Sequence, residues 1–409
     1  MSRRVVAHGE RQAAWRLTQV LLLGAFALGA HGAWDLFASG DETSGATTTT
    51  TAPVDDGEPD GGSSTTPSTT STPATSTLEP ARSFTLVATG DLLIHEFVAD
   101  RAADYGGDGT WDFGPMFRRV RPILAGADVA LCHLETPLSS DNSDLAYYPG
   151  FRVPFELADA IAEAGYDGCS LASNHSLDAG RAGVRSTLDH LRRAGVATTG
   201  MADVADDDVP ATYEADGIAI AHLSYTDLLN GGSLPTDPDW LAPHLDPVEV
   251  LADAAAARAV PPGAQAVLSV LSSTTVLLDS PDVDLLVGHH AHVPQPVVER
   301  DGEYAAVGLG NFLSNQPGDE RRPCSECPAA TQDGLIAWFA VADLPDGTVG
   351  VVDAGYVPTW VHRSSTYEIV PIGIDEPEGV DPATLAESAR RTAEVVEPTL
   401  RRLTLDDFG

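Results

Sequence analysis

From Phe84 onward, short apolar runs alternate with stretches that have helical spacing. Apolar positions in residues 155–164 and 181–194 recur with a helical period, and Gly195 is a natural stop for the second stretch. The alternation predicts an α/β domain whose sheets are covered by helices. The apolar runs that predict strands are 84–91, 127–135, 166–175, 217–226, 264–270 and 282–290.

The last part of the chain has a different pattern. Apolar segments at 303–314, 334–344 and 348–361 follow one another without a helical stretch between them. Strands joined by short connections pair antiparallel, so these segments predict an antiparallel sheet or a second layer. Residues 382–403 have an amphipathic pattern and predict a closing helix.

The N-terminal region predicts a signal anchor in residues 1–40. Arginines up to Arg16 precede an uncharged stretch at 17–34, which predicts a cytoplasmic N-terminus and an external remainder of the chain. The stretch is at the lower limit of spanning length, and the small residues near Ala30 make a poor cleavage site. An uncleaved single-pass anchor is therefore preferred, with a secreted, cleaved protein as the alternative. Residues 41–82 are rich in Thr, Ser, Pro and acid and predict a disordered linker.

Composition narrows the range of partners. The 409 residues are 43% apolar, which is enough for a large core. Sixty acidic residues stand against 23 basic ones, all of them Arg, and the formal net charge is −37. Such a surface repels phosphate backbones, so no nucleic-acid partner is expected.

Polar side chains collect at the ends of the predicted strands. In α/β folds, ligands bind where strands end in loops. Carboxylates, an amide and imidazoles are the set that holds zinc, manganese or iron in hydrolytic sites. The residues in question are Asp91, His133, Glu135, Asn174, His175, His289, His290 and His292.

Taken singly, most of these residues have a structural explanation. Asp91 follows a glycine and could belong to an ordinary turn, and His133 could be a half-buried ring. Asn174 could cap the next helix, and capping is the preferred interpretation of Asp178. His95 is as well suited to packing as to binding. The histidine trio at 289–292 is harder to explain structurally, so only the combination indicates a metal site.

The four cysteines fall into two pairs. Cys324 and Cys327 lie between prolines and predict a small disulfide in an exported loop. Cys132 and Cys169 lie in neighbouring predicted strands. They are interpreted as buried thiols, with a bridge between them as the alternative.

Several segments resemble the successive signature blocks of the CapA family, the poly-gamma-glutamate capsule synthesis proteins. The resemblance runs from about residue 84 to 370, in order, and the block around Asn174 and His175 is highly specific. The segments are "ATGDLLIHE", "ADVALCHLETPLS", "GYDGCSLASNHSLDAGRAGVRSTLDHLRRAGVATTGM", "DLLVGHHAHVPQPVVE" and "VGLGNFLSNQ".

The resemblance implies a four-layer α/β/β/α sandwich of the metallophosphatase-like (calcineurin-like) type over residues 83–375, followed by a C-terminal helical tail at 376–409. It implies a domain outside the membrane that takes part in the synthesis, attachment or export of an anionic capsule, poly-gamma-glutamate or another cell-envelope polymer. Membrane-embedded polymer-synthesis subunits and the anionic polymer itself are the implied partners.

The resemblance also implies a metal site. One or two divalent ions are expected, with Mn, Zn, Fe and Mg as the candidates. His175 or His133 is expected to act as the general acid or base. The positions that match the family's metal site are Asp91, Glu135, Asn174, His175, His290 and His292, with His289 as the alternative within its triplet.

One departure affects the functional prediction. Family members continue the strand that matches 264–270 into a His-Trp-Gly block, whereas this chain continues with Leu271, Ser272 and Ser273. Loss of that imidazole is expected to weaken a second metal. The sequence therefore leaves a metal-dependent hydrolase or transferase, a non-catalytic assembly subunit, and a general extracellular metallophosphoesterase as alternatives.

Overall fold

A computed structural model describes residues 4–5, 81–230, 232, 238–259, 263–270, 275–316 and 327–408. Apart from residues 4–5 and 81–82, the predicted anchor (1–40) and the predicted linker (41–82) lie outside these residues. Across the described part of the chain, no helix is both long enough and apolar enough to cross a membrane.

Within the described residues, the larger sheet has nine strands, arranged as a parallel half and an antiparallel half. Strands β2 (Ser83–Leu92), β3 (Val129–Leu134), β4 (Gly168–Ser170) and β5 (Ala197–Thr199) run parallel, while β13 (Asp333–Asp343) is antiparallel to both β2 and β14 (Val349–Val361). Of the predicted antiparallel segments, 334–344 and 348–361 extend this sheet as antiparallel strands. The prediction is wrong for 303–314, where Glu303–Ala306 is a parallel strand of the smaller sheet and Asn311–Leu313 pairs parallel with β2. The main path of the larger sheet is β15 (Ile369–Pro371), β14 (Val349–Val361), β13 (Asp333–Asp343), β2 (Ser83–Leu92), β3 (Val129–Leu134), β4 (Gly168–Ser170) and β5 (Ala197–Thr199), with β12 (Asn311–Leu313) on β2 and β16 (Arg401–Arg402) on β14.

The smaller sheet has seven strands in the part of the chain that the structure describes. Its centre, from β7 (Ile218–Tyr225) through β8 (Gln265–Val270) and β9 (Leu285–Gly288) to β11 (Glu303–Ala306), is parallel, and β6 (Ala211–Ala215) and β10 (Val297–Arg300) pair antiparallel at its two sides. Its order is β1 (Arg4–Val5), β6 (Ala211–Ala215), β7 (Ile218–Tyr225), β8 (Gln265–Val270), β9 (Leu285–Gly288), β11 (Glu303–Ala306) and β10 (Val297–Arg300).

Helices connect the parallel strands. The predicted stretch at 181–194 forms a helix that ends at Gly195, where a φ of 84° suits glycine. The helices are α1 (Glu96–Gly106), α2 (Gly114–Phe117), α3 (Arg121–Gly126), α4 (Leu157–Ala164), α5 (Gly180–Ala194), α6 (Pro247–Ala259) and α7 (Pro382–Val396). Short 3₁₀ turns lie at Ala205–Asp207, Asp239–Leu241, Thr275–Asp279, Ala329–Gln332 and Leu405–Phe408.

Side chains along β2 show how the layers are arranged. Val87 packs with the apolar faces of α1, α4 and α5, whereas Leu86 and Ala88 pack in the cluster that also holds Ile220 and Val287 of the smaller sheet. Successive side chains of a strand point to opposite faces. The two sheets therefore face each other across one core. A further cluster covers the outer face of the smaller sheet with α6, so the layers run helix, sheet, sheet, helix.

The C-terminal segment belongs to this domain. Leu385 and Ala389 of α7 pack against Trp360 and Val370 of the larger sheet. The predicted helix over 382–403 is wrong after Val396, because Pro398 cannot continue a helix and Arg401–Arg402 pair instead with β14.

The interpretation of Cys132 and Cys169 as thiols is wrong, and the alternative holds. The two residues are directly opposite each other on the adjacent strands β3 and β4, with Cα atoms 4.5 Å apart, and they form a disulfide. Cys327 is also disulfide-bonded. Cys324 lies outside the described residues, so its pairing with Cys327 remains a prediction.

Candidate metal centre

The carboxyl ends of strands from both sheets meet at one edge of the molecule. Asp91 near the end of β2 is in register with His133 of β3 and with Asn311 of β12. Gly90 allows the backbone of Gly310 to lie close to β2, since a Cβ at position 90 would lie 2.0 Å from the carbonyl oxygen of Gly310. The histidines of 289–292 follow β9 directly and reach the same edge.

Asp91, His133 and His289 form the first ligand group. Their candidate ligand atoms lie within 4.8 Å of one another, and all three residues are buried. His289 Nδ1 lies 3.0 Å from Asp91 Oδ1, and the His133 and His289 rings stack with centroids 4.0 Å apart. His133 Nδ1 contacts Ser170 Oγ at 2.9 Å, which leaves its Nε2 for another partner.

Glu135, His290 and His292 form the second ligand group. His292 Nδ1 lies 3.0 Å from Asp91 Oδ2, and its Nε2 lies 3.7 Å from Glu135 Oε1. Asp91 therefore links the two groups. His290 and His292 have φ values of 74° and 56°, a left-handed conformation that is uncommon for residues other than glycine. Such conformations persist where the surrounding structure requires them, often at functional sites.

Buried polar atoms without a hydrogen-bond partner indicate whether a cation fits in this cluster. Within the described part of the chain, both Glu135 carboxylate oxygens, His133 Nε2 and His290 Nδ1 are buried without a hydrogen-bond partner. A buried oxygen without a partner is costly, and a carboxylate oxygen can be satisfied by a cation. Carboxylate and imidazole atoms that converge in this way fit a divalent metal ion.

Two of the candidate ligands, Glu135 and His292, have raised pKa values. Burial raises the pKa of Glu135 to about 7. Burial alone would lower the pKa of His292, but the carboxylates of Glu135 and Asp91 outweigh it and raise that pKa to about 9. Because a metal ligand must be deprotonated, a bound divalent ion would displace these protons.

Two other histidines of the cluster stay neutral. Burial lowers the pKa of His133 well below its usual value, and the neighbouring His289 lowers it further. Burial, followed by the charge of His292, also lowers the pKa of His290. Neutral imidazoles are the form that binds metals.

His175 is not a member of either ligand group, and its contacts and those of Asn174 are with neighbouring loop residues. Asn174 Oδ1 accepts a hydrogen bond from Ser173 Oγ at 3.1 Å. His175 Nδ1 lies 2.6 Å from Asp178 Oδ2, and its ring packs edge-on against Phe151 at 4.7 Å. His175 is close enough for its charge to affect the pKa values of both Glu135 and His290.

The capping interpretation of Asp178 is wrong. Helix α5 begins at Gly180 after Ala179 and has no side-chain cap. Asp178 Oδ2 instead accepts a hydrogen bond from the backbone N–H of Phe151 at 2.8 Å and contacts His175. Asp178 therefore fixes the loop before α5 and the orientation of the His175 ring.

His95 forms part of the wall of the site. Burial, followed by the charge of His292, lowers the pKa of His95 to about 4, so the ring is neutral. It packs edge-on against Phe151 with centroids 5.7 Å apart. His95 thus has a packing role next to the cluster.

Two asparagines of the site were not among the predicted residues. Asn311 Oδ1 lies 3.2 Å from His292 Nδ1, and Asn230 Nδ2 lies 3.1 Å from His175 Nε2. Asn311 belongs to the signature segment "VGLGNFLSNQ", so a polar residue at the end of a predicted strand was the signal. Asn230 follows no strand directly, and its position had no sequence signal.

The fold and these two groups define a two-sheet α/β protein with a candidate metal centre at its strand ends. The family model for the bacterial capsule synthesis protein PGA_cap matches residues 85–267. This match over part of the chain agrees with the predicted resemblance to CapA capsule synthesis proteins.

Two relatives show the extent of the similarity. The capsule biosynthesis protein CapA of Bacillus anthracis is 24% identical over 254 residues, which cover 57% of this chain and 60% of that protein. The PGA biosynthesis protein CapA of Bacillus subtilis (strain 168) is 23% identical over 250 residues, which cover 56% and 62%. The chain thus spans about three fifths of the length of these curated relatives.

Proposed function

We propose that this chain is an extracytoplasmic CapA-like protein that acts in the synthesis, attachment or export of an anionic capsule, poly-gamma-glutamate or another envelope polymer. The partial match to the family model and the capsule and PGA biosynthesis named for its relatives support this proposal. The anchor predicted in residues 1–40 would hold the domain outside the membrane, near membrane-embedded synthesis subunits.

The domain is proposed to be of the metallophosphatase-like type and to hold one or two divalent ions. The observation that carries this proposal is the pair of ligand groups joined by Asp91, with both oxygens of buried Glu135 unpartnered in the described chain. Two facing sheets with helices outside agree with that fold. The candidates are Mn, Zn, Fe and Mg; imidazole ligands suit Zn and Fe, and carboxylate ligands suit Mn and Mg.

The two ligand groups differ in how deeply their residues are buried. His290 and His292 are partly exposed, Glu135 is buried with the first group, and Asp91 contacts members of both groups. When bound, divalent ions supply Lewis-acid polarisation of the scissile group and lower the pKa of a water molecule. His133, neutral and fully buried, suits a ligand or orienting role better than proton transfer.

His175 is proposed to move the proton. The Asp178 carboxylate can only accept, so the Nδ1 atom of His175, 2.6 Å away, carries the hydrogen. The Nε2 atom then has the free lone pair and receives Asn230 Nδ2 at 3.1 Å. A histidine fixed in one tautomer by a carboxylate is suited to take or give a proton at its second nitrogen.

Net charge gives the cations a second role. A chain with a net charge of −37 repels an anionic polymer. Divalent ions at the strand ends would offset this repulsion where the polymer must approach. They would thus contribute to binding as well as to hydrolysis or transfer.

Metal content of the purified full chain tests this proposal. We expect one or two equivalents of a divalent metal in the wild type and a large loss in His292→Ala, measured by inductively coupled plasma mass spectrometry. His190→Ala is the matched control, because His190 packs on Phe155 away from the cluster. A metal-free wild type that still supports polymer formation would overturn the metal-dependent mechanism.

A non-catalytic assembly subunit is the second candidate. The sequence that follows Val270 supports it, because residues 271–273 contain no histidine where the family has one. The discriminating strain lacks the chromosomal gene and carries Asp91→Ala, His290→Ala protein at the wild-type level. Restored polymer would favour assembly, and failure of restoration with normal protein abundance would favour catalysis.

A further inference from the structure

His133 belongs to the first ligand group but not to the positions that match the metal site of the CapA family. Its ring stacks on His289 with centroids 4.0 Å apart, and its Nε2 is buried without a hydrogen-bond partner in the described structure. An imidazole binds a metal through a nitrogen that carries no hydrogen. The role of His133 therefore depends on which of its two ring nitrogens is protonated.

Strands β3 and β4 set the position of this ring. Cys132 lies opposite Cys169, and His133 lies opposite Ser170. The two cysteines pack in the apolar cluster beneath the helices. Because successive side chains of a strand point to opposite faces, His133 and Ser170 point toward the smaller sheet, where His289 lies. The disulfide thus holds the register of the His133 and Ser170 pair from the other face of the sheet.

The Ser170 hydroxyl has two contacts and a single hydrogen. Its Oγ lies 2.9 Å from His133 Nδ1 and 3.3 Å from the carbonyl oxygen of Cys132. A carbonyl oxygen can only accept, so the hydroxyl donates to Cys132 and must accept from His133. Both contacts are hydrogen bonds only when the hydrogen of the neutral ring is on Nδ1. The Nε2 atom then has the free lone pair.

The same lone pair is the one available to the first ligand group. One nitrogen of His133 lies within 4.8 Å of candidate ligand atoms of Asp91 and His289. Since Ser170 occupies Nδ1, the nitrogen that can serve a metal is Nε2. The hydrogen bond at one side of the ring therefore prepares the other side for a cation.

We propose that Ser170 is a positioning residue that fixes His133 in the Nδ1–H tautomer, so that Nε2 can bind a divalent ion together with Asp91 and His289. This inference rests on the metal site of the proposed function. Residues that hydrogen-bond the second nitrogen of a ligating histidine orient its ring, and their loss weakens metal binding by about 10- to 100-fold. As a ligand, His133 is not available for proton transfer, which leaves that role to His175.

The tautomer can be measured without a metal. Long-range proton–nitrogen correlation spectra of the full chain, labelled with ¹⁵N-histidine and kept in chelator, distinguish a protonated ring nitrogen from an unprotonated one. His133→Asn identifies the signals of this ring. We expect a protonated Nδ1 and an unprotonated Nε2 in the wild type. Ser170→Ala should populate the Nε2–H tautomer, because it removes the acceptor for the Nδ1 hydrogen.

Metal affinity is the second measurement, by calorimetric titration of the same proteins with Mn²⁺ or Zn²⁺. Ser170→Ala should lower the affinity by about 10- to 100-fold. Ser170→Thr keeps the hydroxyl and should retain the wild-type tautomer and most of the affinity.

Ser269→Ala is the matched control. Ser269 is also buried, and its Oγ lies 2.8 Å from Nε2 of His222 on the neighbouring strand β7, but neither residue belongs to the two ligand groups. The substitution should change the signals of His222. It should leave the His133 tautomer and the metal affinity as they are in the wild type.

Three results would overturn the inference. The first is an Nε2–H tautomer of His133 in the wild type, which is decisive even where a variant does not fold. The second is an unchanged tautomer in Ser170→Ala protein that is folded by circular dichroism. The third is a changed tautomer with wild-type metal affinity, which would show that His133 is not a ligand. A wild type that has the expected tautomer and binds no divalent ion would instead contradict the proposed function and support the role of Ser170 in fixing the ring.

Discussion

Glu135 is a buried acidic residue of the candidate metal site. It is 1% exposed, and neither carboxylate oxygen has a hydrogen-bond partner within the described chain. Burial raises its pKa to about 7 from a usual value of 4.5. Below pH 4.5 the residue is protonated in both the folded and the unfolded chain, so the shift has no effect there. Between pH 4.5 and 7 the unfolded chain releases this proton first, and the metal-free fold loses stability as pH rises.

We therefore predict that Glu135→Gln stabilises the metal-free protein at pH 8 by about 3 kcal/mol and has little effect at pH 4. Urea unfolding in the presence of a chelator at both pH values measures the difference. Glu163→Gln on the exposed face of α4 is the control and should change stability by less than about 0.5 kcal/mol. An equal gain at both pH values would contradict the prediction.

Protons compete with the cation at this cluster. The pKa of Glu135 is about 7 and that of His292 about 9, so both hold protons at pH 6 when no metal is bound. We predict that divalent affinity rises between pH 6 and 9, by about tenfold per pH unit for each proton displaced. Calorimetry in buffers of different ionisation enthalpy counts the released protons. Affinity that stays constant over this range would show that neither residue is a ligand.

The sequence predicted which residues come together at the site. It did not predict the contacts between loops that hold them in place. Asp91, Glu135, His290 and His292 follow predicted strands, and the ends of parallel strands share one edge of a sheet. The contact of Asp178 with Phe151 spans 27 positions, and that of Asn230 with His175 spans 55. No local pattern records such contacts between loops.

At the scale of elements, the spacing of the apolar residues predicted where strands occur better than it predicted how long they are. The run at 166–175 gives a strand of only three residues, Gly168–Ser170. Leu171 and Ala172 continue the apolar run because they are buried where the chain leaves the sheet, and not because they belong to the strand. Burial and strand pairing thus make the same sequence pattern, and the end of a strand cannot be read from it.

The disulfide between β3 and β4 lies one residue before His133 on β3 and therefore stabilises the edge that carries the site. It closes a loop with a sequence separation of 37, which in the chain-entropy model corresponds to about 4 kcal/mol. We predict that the double variant Cys132→Ala, Cys169→Ala loses stability of this order.

Guanidinium unfolding of three samples separates the crosslink from the loss of side-chain volume. These are the oxidised wild type, the wild type under strong reductant, and the double variant. The reduced wild type should lie close to the double variant. Equal stability of the oxidised and reduced wild type would show that the bridge contributes nothing to the fold.

At the scale of the whole molecule, the site depends on two sheets at once. Asp91 and Glu135 come from the larger sheet and its adjoining loop, whereas His289, His290 and His292 follow β9 of the smaller sheet. A divalent ion held by both sets would link the two sheets across their shared edge. Because the unfolded chain does not present these ligands together, metal binding stabilises the folded state by mass action.

We predict that a divalent metal at about 100 times its dissociation constant stabilises the wild-type chain by about 2.7 kcal/mol and raises its Tm by several degrees. Differential scanning calorimetry with Mn²⁺ or Zn²⁺, followed by a chelator, measures the shift and its reversal. Asp91→Ala should abolish most of the shift, because Asp91 contacts histidines of both ligand groups. Asp203→Ala, which removes a carboxylate paired with Arg181 and Arg185 on the surface, is the matched control and should keep it. A shift of equal size in Asp91→Ala would place the stabilising ion outside the cluster, and the two sheets would then owe their contact to apolar packing alone.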